Sequence, residues 1–160
     1  MGVDTTRLEE FLARHRLVGA DTMLFIYHLE DHPTYAPLTQ VIFEAWETGT
    51  TRGVTSVITL LEILVKPKRE GHVQAARDYQ EMLTTYPNLQ LVNLDLRVAE
   101  IASDLRAKYN LKTPDAIQVA ATQSAGGTAF LTNDPNFRRV TEIEVLLLDD
   151  LLTPSQATSQ

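Results

Sequence analysis

Apolar and polar positions along this chain follow two different periods, which divide it into short strands and longer helices. Near the start, apolar positions recur at the spacing of one helical face, which predicts an amphipathic N-terminal helix within residues 1–16. The positions on this face are Leu8, Phe11, Leu12 and His15. Short apolar runs of strand length follow at intervals. These runs are 17–21, 53–55, 89–93, 128–132 and 144–148.

Segments with helical spacing lie between the strand-like runs, and their ends carry recognisable signals. The segments are 33–46, 57–65, 73–86, 95–109 and 113–124. Ser56 is a suitable N-cap for the second of them, and Pro67 predicts its end. Pro114 stands where the first turn of a helix accepts proline, and Asn110 fits the left-handed position after a helix.

The alternation of strands with helices predicts an α/β fold, a three-layer α/β/α sandwich around a parallel five-stranded sheet. We expect a single domain over residues 1–150, which begins with the extra N-terminal helix, and a polar, disordered tail over 151–160. In sheets of this kind the active crevice lies beyond the carboxyl ends of the strands. Asp21 and Asp134 both stand at such ends.

Composition narrows the class of protein further. The 160 residues are 44% hydrophobic and contain no cysteine, which excludes disulfides and thiolate zinc sites. No apolar stretch approaches the ~20 residues of a membrane span, and the first residues lack an apolar signal core. We therefore expect a cytoplasmic protein. Its net charge of −7 works against unassisted binding to nucleic acid.

Four acidic residues stand at positions that suggest a functional role. Asp21 and Asp134 each close an apolar run, Asp115 opens a helix, and Glu62 is the single charge within residues 57–65. If the fold brings them together, they form an oxygen-only pocket suited to one or two Mg²⁺ or Mn²⁺ ions. Two such ions about 3.5–4 Å apart can activate a water and stabilise the leaving oxygen in phosphodiester cleavage.

Three of these acids also have a purely structural explanation. Asp21 fits an N-cap for a helix from Thr22, and Asp134 fits an N-cap with proline at the next position. Asp115 lies in the first turn of a helix, where the helix dipole favours a carboxylate. For each acid alone, the structural and the functional interpretations have about equal weight.

Glu62 carries the strongest physical argument. Its neighbours one helical turn away are mostly apolar, so we interpret its helix as buried, and burying an unpaired carboxylate costs several kcal/mol. The structural alternative is an ion pair with Lys66, four residues on. Such pairs are weak at exposed sites, which favours the functional interpretation.

Polar neighbours of the acids are candidates for orienting the carboxylates through hydrogen bonds. They are Thr22, Thr59, Thr132 and Asn133. Basic residues near the acids are candidates for contacting the phosphates of a nucleic acid, or else form an ordinary solvated surface. They are Lys66, Lys68, Arg69, Arg138 and Arg139. The four histidines show no zinc spacing, and no aromatic platform for a single-stranded nucleic acid is recognisable.

Four motifs, in this order and spacing, resemble those of a known family. They are residues 18–27, 55–62, 113–120 and 130–137, and each contains one of the four acids. The third, which begins Thr-Pro-Asp-Ala-Ile, is the most specific. Together they are similar to the motifs of PIN domains, in particular to VapC-type ribonucleases of toxin–antitoxin systems.

The resemblance implies an α/β/α sandwich with Mg²⁺- or Mn²⁺-dependent endoribonuclease activity. It assigns Asp21, Glu62, Asp115 and Asp134 to the metal-binding and catalytic site. It also implies a homodimer, an RNA substrate and a cognate antitoxin that occludes the site. Met23 departs from the pattern, because many relatives carry Ser or Asn there, and the N-terminal helix is longer than the usual lead-in.

Two other classes of function are consistent with parts of the sequence. One is a PIN-like module that binds RNA or protein, or takes part in RNA processing, without acting as a toxin. The other is aspartyl-phosphate chemistry on Asp21. Met23 stands where a dehalogenase-like phosphatase needs an aspartate, and no lysine follows Thr113 to neutralise a phosphoryl group.

Overall fold

The computed structural model describes residues 2–154. Its strands are β1 (Gly2–Val3), β2 (Leu17–Ala20), β3 (Arg52–Ser56), β4 (Leu89–Val92), β5 (Ala129–Thr132), β6 (Glu144–Leu147) and β7 (Leu152–Thr153). Its α-helices are α1 (Thr5–Arg14), α2 (Thr22–Leu29), α3 (Ala36–Thr48), α4 (Val57–Arg69), α5 (Val73–Thr85), α6 (Leu96–Tyr109) and α7 (Thr113–Ser124). Short 3₁₀ helices cover Pro135–Arg139 and Leu148–Leu151. Within this described range, no helix is long and apolar enough to cross a membrane.

Five of the strands form one parallel sheet in the order β4-β3-β2-β5-β6, which confirms the predicted fold class. The central strand β2 pairs with β3 on one side and with β5 on the other, so that Gly19 lies opposite both Val54 and Phe130. The strand order reverses direction between β2 and β5. The carboxyl ends of these two strands therefore form the crevice in which sheets of this kind bind ligands.

Helices cover both faces of the sheet and enclose two cores. Helices α1 to α5 bury aromatic residues that include Phe25, Phe43 and Trp46 against one face. Helices α6 and α7 pack on the other face, where Phe130 and Phe137 are buried. Helix α7 approaches β2 so closely that a Cβ atom at Gly19 would overlap the side chain of Thr122. This tight packing fixes the start of α7 next to the carboxyl end of β2.

The N-terminal helix is confirmed as α1, and it buries Leu8, Phe11 and Leu12. The predicted end of the helix after Ser56 is wrong, because α4 continues through Pro67 to Arg69. Proline has no backbone N–H, and so in the last turn of a helix it removes a single hydrogen bond. Here the helix has two residues left after Pro67, and burial of the proline ring supports them.

The predicted boundary of the polar tail is also wrong at its start. Leu151 is fully buried, and Leu152 and Thr153 pair antiparallel with Val3 and Gly2. Leu151 therefore belongs to the core, and the pairing of β7 with β1 connects the two ends of the described chain. Residues 155–160 of the predicted tail lie outside the described residues.

Candidate active site

Asp21 follows β2 directly and is held from three sides. Its backbone N–H donates to the carbonyl of Leu131 in β5 at 2.9 Å. Its carboxylate accepts from the backbone N–H of Thr22 at 2.9 Å and from the Thr132 hydroxyl at 2.9 Å. Asp21 is therefore an N-cap of α2, as the structural interpretation expected, and its second oxygen is tied to β5 across the crevice.

The charge state of Asp21 is perturbed by its surroundings. Burial raises the pKa of this carboxyl to about 6, although the hydrogen bonds from Thr132 and Thr22 act in the opposite direction. Repulsion from Asp115 and Glu62 raises the pKa further. The carboxylates of three different elements therefore lie within the range of each other's charge.

Asp115 and Asp134 extend this acidic group. Asp115 lies in the first turn of α7, and burial raises its pKa, followed by repulsion from Asp134. Lys112, one turn before it, lowers the pKa, and Glu62 raises it. Asp134 caps the following 3₁₀ helix, since its Oδ1 accepts from the N–H of Asn136 at 2.9 Å. The structure thus shows caps and an acidic group formed by the same residues.

Glu62 is placed at the same site, but the burial argument for it is wrong. Its side chain is exposed, as are its neighbours Leu61 (60%) and Val65 (42%). Only one face of α4 packs inward, and the other presents apolar residues to the surface. Lys66 is not its partner either, because Lys66 pairs with Glu30 at 3.2 Å. Instead, the Thr22 hydroxyl donates to Oε1 of Glu62 at 2.7 Å.

A buried hydrogen-bond network supports this contact, and its centre is Gln118, which the sequence analysis missed. The Gln118 amide donates to the hydroxyls of Thr22 at 3.0 Å and Thr59 at 2.8 Å. Its carbonyl oxygen accepts from the Ser56 hydroxyl at 2.7 Å. Gln118 is 2% exposed, and so these bonds satisfy it within the protein. The signal in the sequence was a single amide inside the apolar run of α7.

Two of the four predicted orienting residues contact a carboxylate of the acidic group, and two do not. Thr22 contacts Asp21 through its N–H and Glu62 through its hydroxyl, while Thr132 contacts Asp21. Thr59 is one of the two that do not. Its hydroxyl lies within hydrogen-bonding distance of the Thr55 and Thr22 hydroxyls and accepts from the Gln118 amide, so it belongs to the network beneath the site.

Asn133 is the other residue whose predicted contact with a carboxylate of the site is wrong. Its amide nitrogen donates to the Tyr27 hydroxyl at 3.2 Å, and its oxygen accepts from the N–H of Asp149 at 2.9 Å. The side chain therefore turns away from Asp134 and joins α2 to the 3₁₀ helix that begins at Leu148. It belongs to the rim of the site.

The predicted RNA-contacting residues differ in how free their charges are. Lys68 and Arg69 lie exposed in the last turn of α4. Arg138 is engaged by Asp150 through two hydrogen bonds of 2.7 and 2.8 Å, and the Arg139 side chain donates to the Asn136 carbonyl at 3.4 Å. For Arg138 the prediction is weakened, because contact with a phosphate would compete with this bidentate pair. Lys66 is likewise paired with a carboxylate.

The four acids carry the type of oxygen ligand that a divalent cation prefers. Within residues 2–154, none of them forms a salt bridge with a lysine, arginine or histidine. As their side chains stand, no group of three or more ligating residues in this range is arranged to hold a metal ion. The donor set nevertheless fits a hard cation, because it consists of carboxylates whose mutual repulsion a cation would relieve. The residues that such an ion would meet are Asp21, Glu62, Asp115 and Asp134.

A groove of about 420 Å³ runs from Glu62 between α2, α4 and α5. Its apolar surface comes from residues that include Ile26, Ile63 and Tyr79. Glu30, Glu62 and Glu70 line the same groove, and so do Lys66, which pairs with Glu30 at 3.2 Å, and His72, whose Nδ1 lies 3.4 Å from Glu70. It therefore combines an apolar floor with one carboxylate, that of Glu62, which no basic side chain of the described residues pairs with.

Comparisons with known proteins agree with this architecture. The chain is similar to a toxin–antitoxin complex from Klebsiella pneumoniae, with 25% identity, a TM-score of 0.60 and coverage of 80% of this chain and 98% of that chain. It also shares its fold with VapBC2 from Rickettsia felis bound to a promoter DNA fragment (12% identity, TM-score 0.62, coverage 82% and 98%). DNA-bound VapBC from Salmonella typhimurium is similar in the same way (18% identity, TM-score 0.61, coverage 83% and 98%).

Among curated proteins, none is significantly similar to this chain. A family model, that of the PIN domain, matches residues 20–143 and thereby includes all four acids. Because this match spans most of the sequence, the chain belongs to the PIN domain family.

Proposed function

We propose that this protein is a metal-dependent endoribonuclease of the VapC type and the toxin of a toxin–antitoxin pair. The observation that carries the proposal is the meeting of Asp21, Glu62, Asp115 and Asp134 at the carboxyl edge of a PIN-domain sheet. PIN domain proteins of this type are generally nucleases. An acidic group without a paired protein cation is the arrangement that a metal-dependent phosphodiesterase needs.

We assign the binding of Mg²⁺ or Mn²⁺, as one ion or two, to these four carboxylates. A bound ion would supply an activated water and stabilisation of the leaving oxygen in RNA hydrolysis. Burial and neighbouring carboxylates raise the pKa of Asp21 and of Asp115, which means that their charged forms are disfavoured. A bound cation would stabilise these charged forms.

The remaining residues of the site hold the carboxylates in place. Thr132 and the N–H of Thr22 fix both oxygens of Asp21. Gln118 orients the Thr22 hydroxyl, which in turn directs Oε1 of Glu62. This chain of contacts starts in a buried network, so Glu62 can be positioned even though it lies at the surface.

We further propose a small antitoxin as the regulatory partner. The three similar structures are toxin–antitoxin or VapBC complexes, and this chain covers 98% of the matched chain in each of them. The groove beside Glu62 supports this proposal, because its apolar floor and the carboxylate of Glu62 fit a segment with apolar side chains and a basic residue. A homodimer and a cytoplasmic location remain predictions. Exposed Leu61 and Val65 on α4 are consistent with a subunit contact.

The decisive experiment is cleavage of single-stranded and structured RNA by the purified protein with Mg²⁺, Mn²⁺ or chelator. We expect cleavage that requires the metal and that Asp115→Asn abolishes, because the substitution removes a charge from the acidic group without changing its shape. Asp104→Asn is the matched control, since Asp104 lies exposed on α6 outside this group. Equal cleavage by Asp115→Asn, or cleavage in chelator, would contradict the proposal.

A further inference from the structure

Three aromatic side chains gather beside the acidic group, although the sequence shows no aromatic platform. The rings of Tyr27 and Tyr35 stack with their centroids 4.4 Å apart and an interplanar angle of 24°. His32 packs against both, at 5.2 Å from Tyr27 and 4.8 Å from Tyr35. We refer to these three residues as the aromatic cluster. Tyr27 lies on α2, and His32 and Tyr35 lie in the connection between α2 and α3, which brings their rings against Tyr27.

Asn133 joins the aromatic cluster to the acidic group. It follows Thr132, which contacts Asp21, and it precedes Asp134. Its amide donates to the Tyr27 hydroxyl at 3.2 Å. The Tyr27 hydroxyl therefore contacts the residue between Thr132 and Asp134, at the rim of the crevice on the side of α2 and β5.

A second polar contact fixes the orientation of Tyr35. Its hydroxyl donates to Oδ1 of Asp149 at 2.5 Å, and the backbone N–H of Asp149 donates to Asn133. This hydrogen bond with Asp149 raises the pKa of the Tyr35 hydroxyl, with burial as the next contribution. The hydroxyl ends of both tyrosines are thus anchored, and the rings are held in a fixed position rather than left free to rotate.

His32 has one nitrogen bound and one available. Its Nδ1 accepts from the backbone N–H groups of Thr34 at 3.1 Å and Tyr35 at 3.4 Å, so the proton of the neutral ring lies on Nε2. Within residues 2–154, Nε2 makes no hydrogen bond. The His32 ring is partly exposed, as are both tyrosine rings. The cluster therefore offers aromatic surface together with a free N–H donor.

The charge around the cluster selects the kind of group that it can bind. Asp149 contacts Tyr35 directly, and Asp31 precedes His32 in the chain. Negative charge of this kind repels a phosphate. A nucleobase is uncharged and has both a π-face and hydrogen-bond acceptors at its edge, so it matches the rings and the free N–H.

We propose that His32 and Tyr35, supported from behind by Tyr27, form a stacking site for an unpaired nucleobase of the substrate. The base would belong to a nucleotide close to the phosphate that the acidic group engages, because Asn133 holds the two sites together. This inference rests on the proposed ribonuclease function and adds to it three residues that position the substrate through one of its bases.

Fluorescence tests the contact without requiring cleavage. His32→Trp, made together with Asp115→Asn, places an indole in the cluster, while the native Trp46 is fully buried and supplies a constant background. The probes are single-stranded homopolymers of A, C and U, and an abasic ribose-phosphate oligomer of equal length. We expect at least one homopolymer to quench the introduced indole and the abasic oligomer to leave it unchanged.

Tyr86→Trp in the same Asp115→Asn background is the matched control. Tyr86 is partly buried, as His32 is, and it lies three residues before β4 begins, at the amino edge of the sheet and away from the acidic group at the carboxyl edge. We expect no quenching there. Absence of quenching at the cluster with all three homopolymers overturns the stacking site, and so does equal quenching by the abasic oligomer.

Kinetics provides the second measurement. His32→Ala should raise KM roughly five- to 160-fold with kcat little changed, which is the range for loss of one stacked base. His32→Phe should restore most of the loss, because it keeps a ring. A purely structural role for His32 would lower stability and leave KM unchanged. Loss of cleavage by the unsubstituted protein would refute the ribonuclease proposal, whereas normal cleavage with an unchanged KM in His32→Ala would refute only the stacking site.

Discussion

The Thr22 hydroxyl donates a 2.7 Å hydrogen bond to Oε1 of Glu62 and so connects the first residue of α2 with the exposed face of α4. The same hydroxyl accepts from the buried Gln118 amide. A surface carboxylate is therefore oriented by a core residue through one intermediate. This relationship explains how Glu62 can occupy a defined position without being buried.

Thr22→Val removes this hydroxyl and keeps the shape of the side chain. We expect RNA cleavage to fall about tenfold, the lower end of the range for residues that orient metal ligands. The free energy of unfolding should fall by about 1–3 kcal/mol, because one N–H of Gln118 is left buried without a partner. Single-turnover cleavage and urea denaturation measure the two effects. Thr22→Ser retains the hydroxyl and should behave like the unsubstituted protein in both.

Gln118→Leu tests the network from its centre. The substitution leaves the hydroxyls of Ser56, Thr22 and Thr59 without their amide partner, so we expect a loss of about 2–4 kcal/mol in the free energy of unfolding. The urea midpoint at constant m-value measures this loss. A variant as stable as the unsubstituted protein would show that the network contributes nothing to the fold.

Gln123→Leu is a matched control on the same helix. The Gln123 Oε1 atom is buried and has no hydrogen-bond partner within the described residues. Replacing it with an apolar side chain removes an unsatisfied polar atom, and so we expect stability to be unchanged or higher. The opposite outcomes of the two glutamine substitutions would separate a satisfied buried amide from an unsatisfied one.

Local sequence signals predicted most of the fold because the strands are short apolar runs between capped helices. The same signals gave a wrong prediction of burial for Glu62, because an apolar sequence does not show whether another part of the protein covers that face of the helix. Leu61 and Val65 are exposed although their helix reads as a core helix. Gln118 was missed for the converse reason. Its importance depends on partners 59 to 96 residues away in sequence, which only the packing of α7 against α2 and α4 brings together.

The aromatic cluster was hidden for a similar reason. Tyr27 and Tyr35 are eight residues apart in the sequence with no shared periodicity, and only the turn between α2 and α3 stacks them. The four acids were recognised through their flanking motifs rather than through their individual positions. Two of them, Asp21 and Asp134, are indeed helix caps, so position alone did not separate the structural from the functional interpretation.

Asp21 should make the stability of the metal-free protein depend on pH. Its pKa is raised from 3.8 to about 6 in the folded protein, so the folded state holds its proton more tightly than the unfolded state. Stability from this group is therefore present at low pH and is lost as pH rises from about 4 to about 6. Asp21→Asn should remove this loss. The difference in unfolding free energy between the variant and the unsubstituted protein should grow over this window to at most about 3 kcal/mol and then level off.

Asp150 provides a comparison with the opposite sign. Its hydrogen bonds with Arg138 lower the pKa of its carboxyl, so its contribution is present above its ordinary pKa and is lost as pH falls. Asp150→Asn should therefore reduce stability at neutral pH, by a small amount because Arg138 is exposed. Urea titrations at several pH values in chelator measure both variants. A difference for Asp21→Asn that does not change with pH would contradict the raised pKa.

Divalent metal should stabilise the folded protein through the same carboxylates. At a free Mn²⁺ concentration about 100 times Kd, the unfolding free energy should rise by about 2.7 kcal/mol, and the melting temperature should rise with it. The effect should be larger at pH 7 than at pH 5, because Asp21 must lose its proton before it can bind a cation. Asp21→Asn and Asp115→Asn should each reduce the stabilisation, whereas Asp104→Asn should preserve it. Equal stabilisation of all three variants would contradict metal binding at the acidic group.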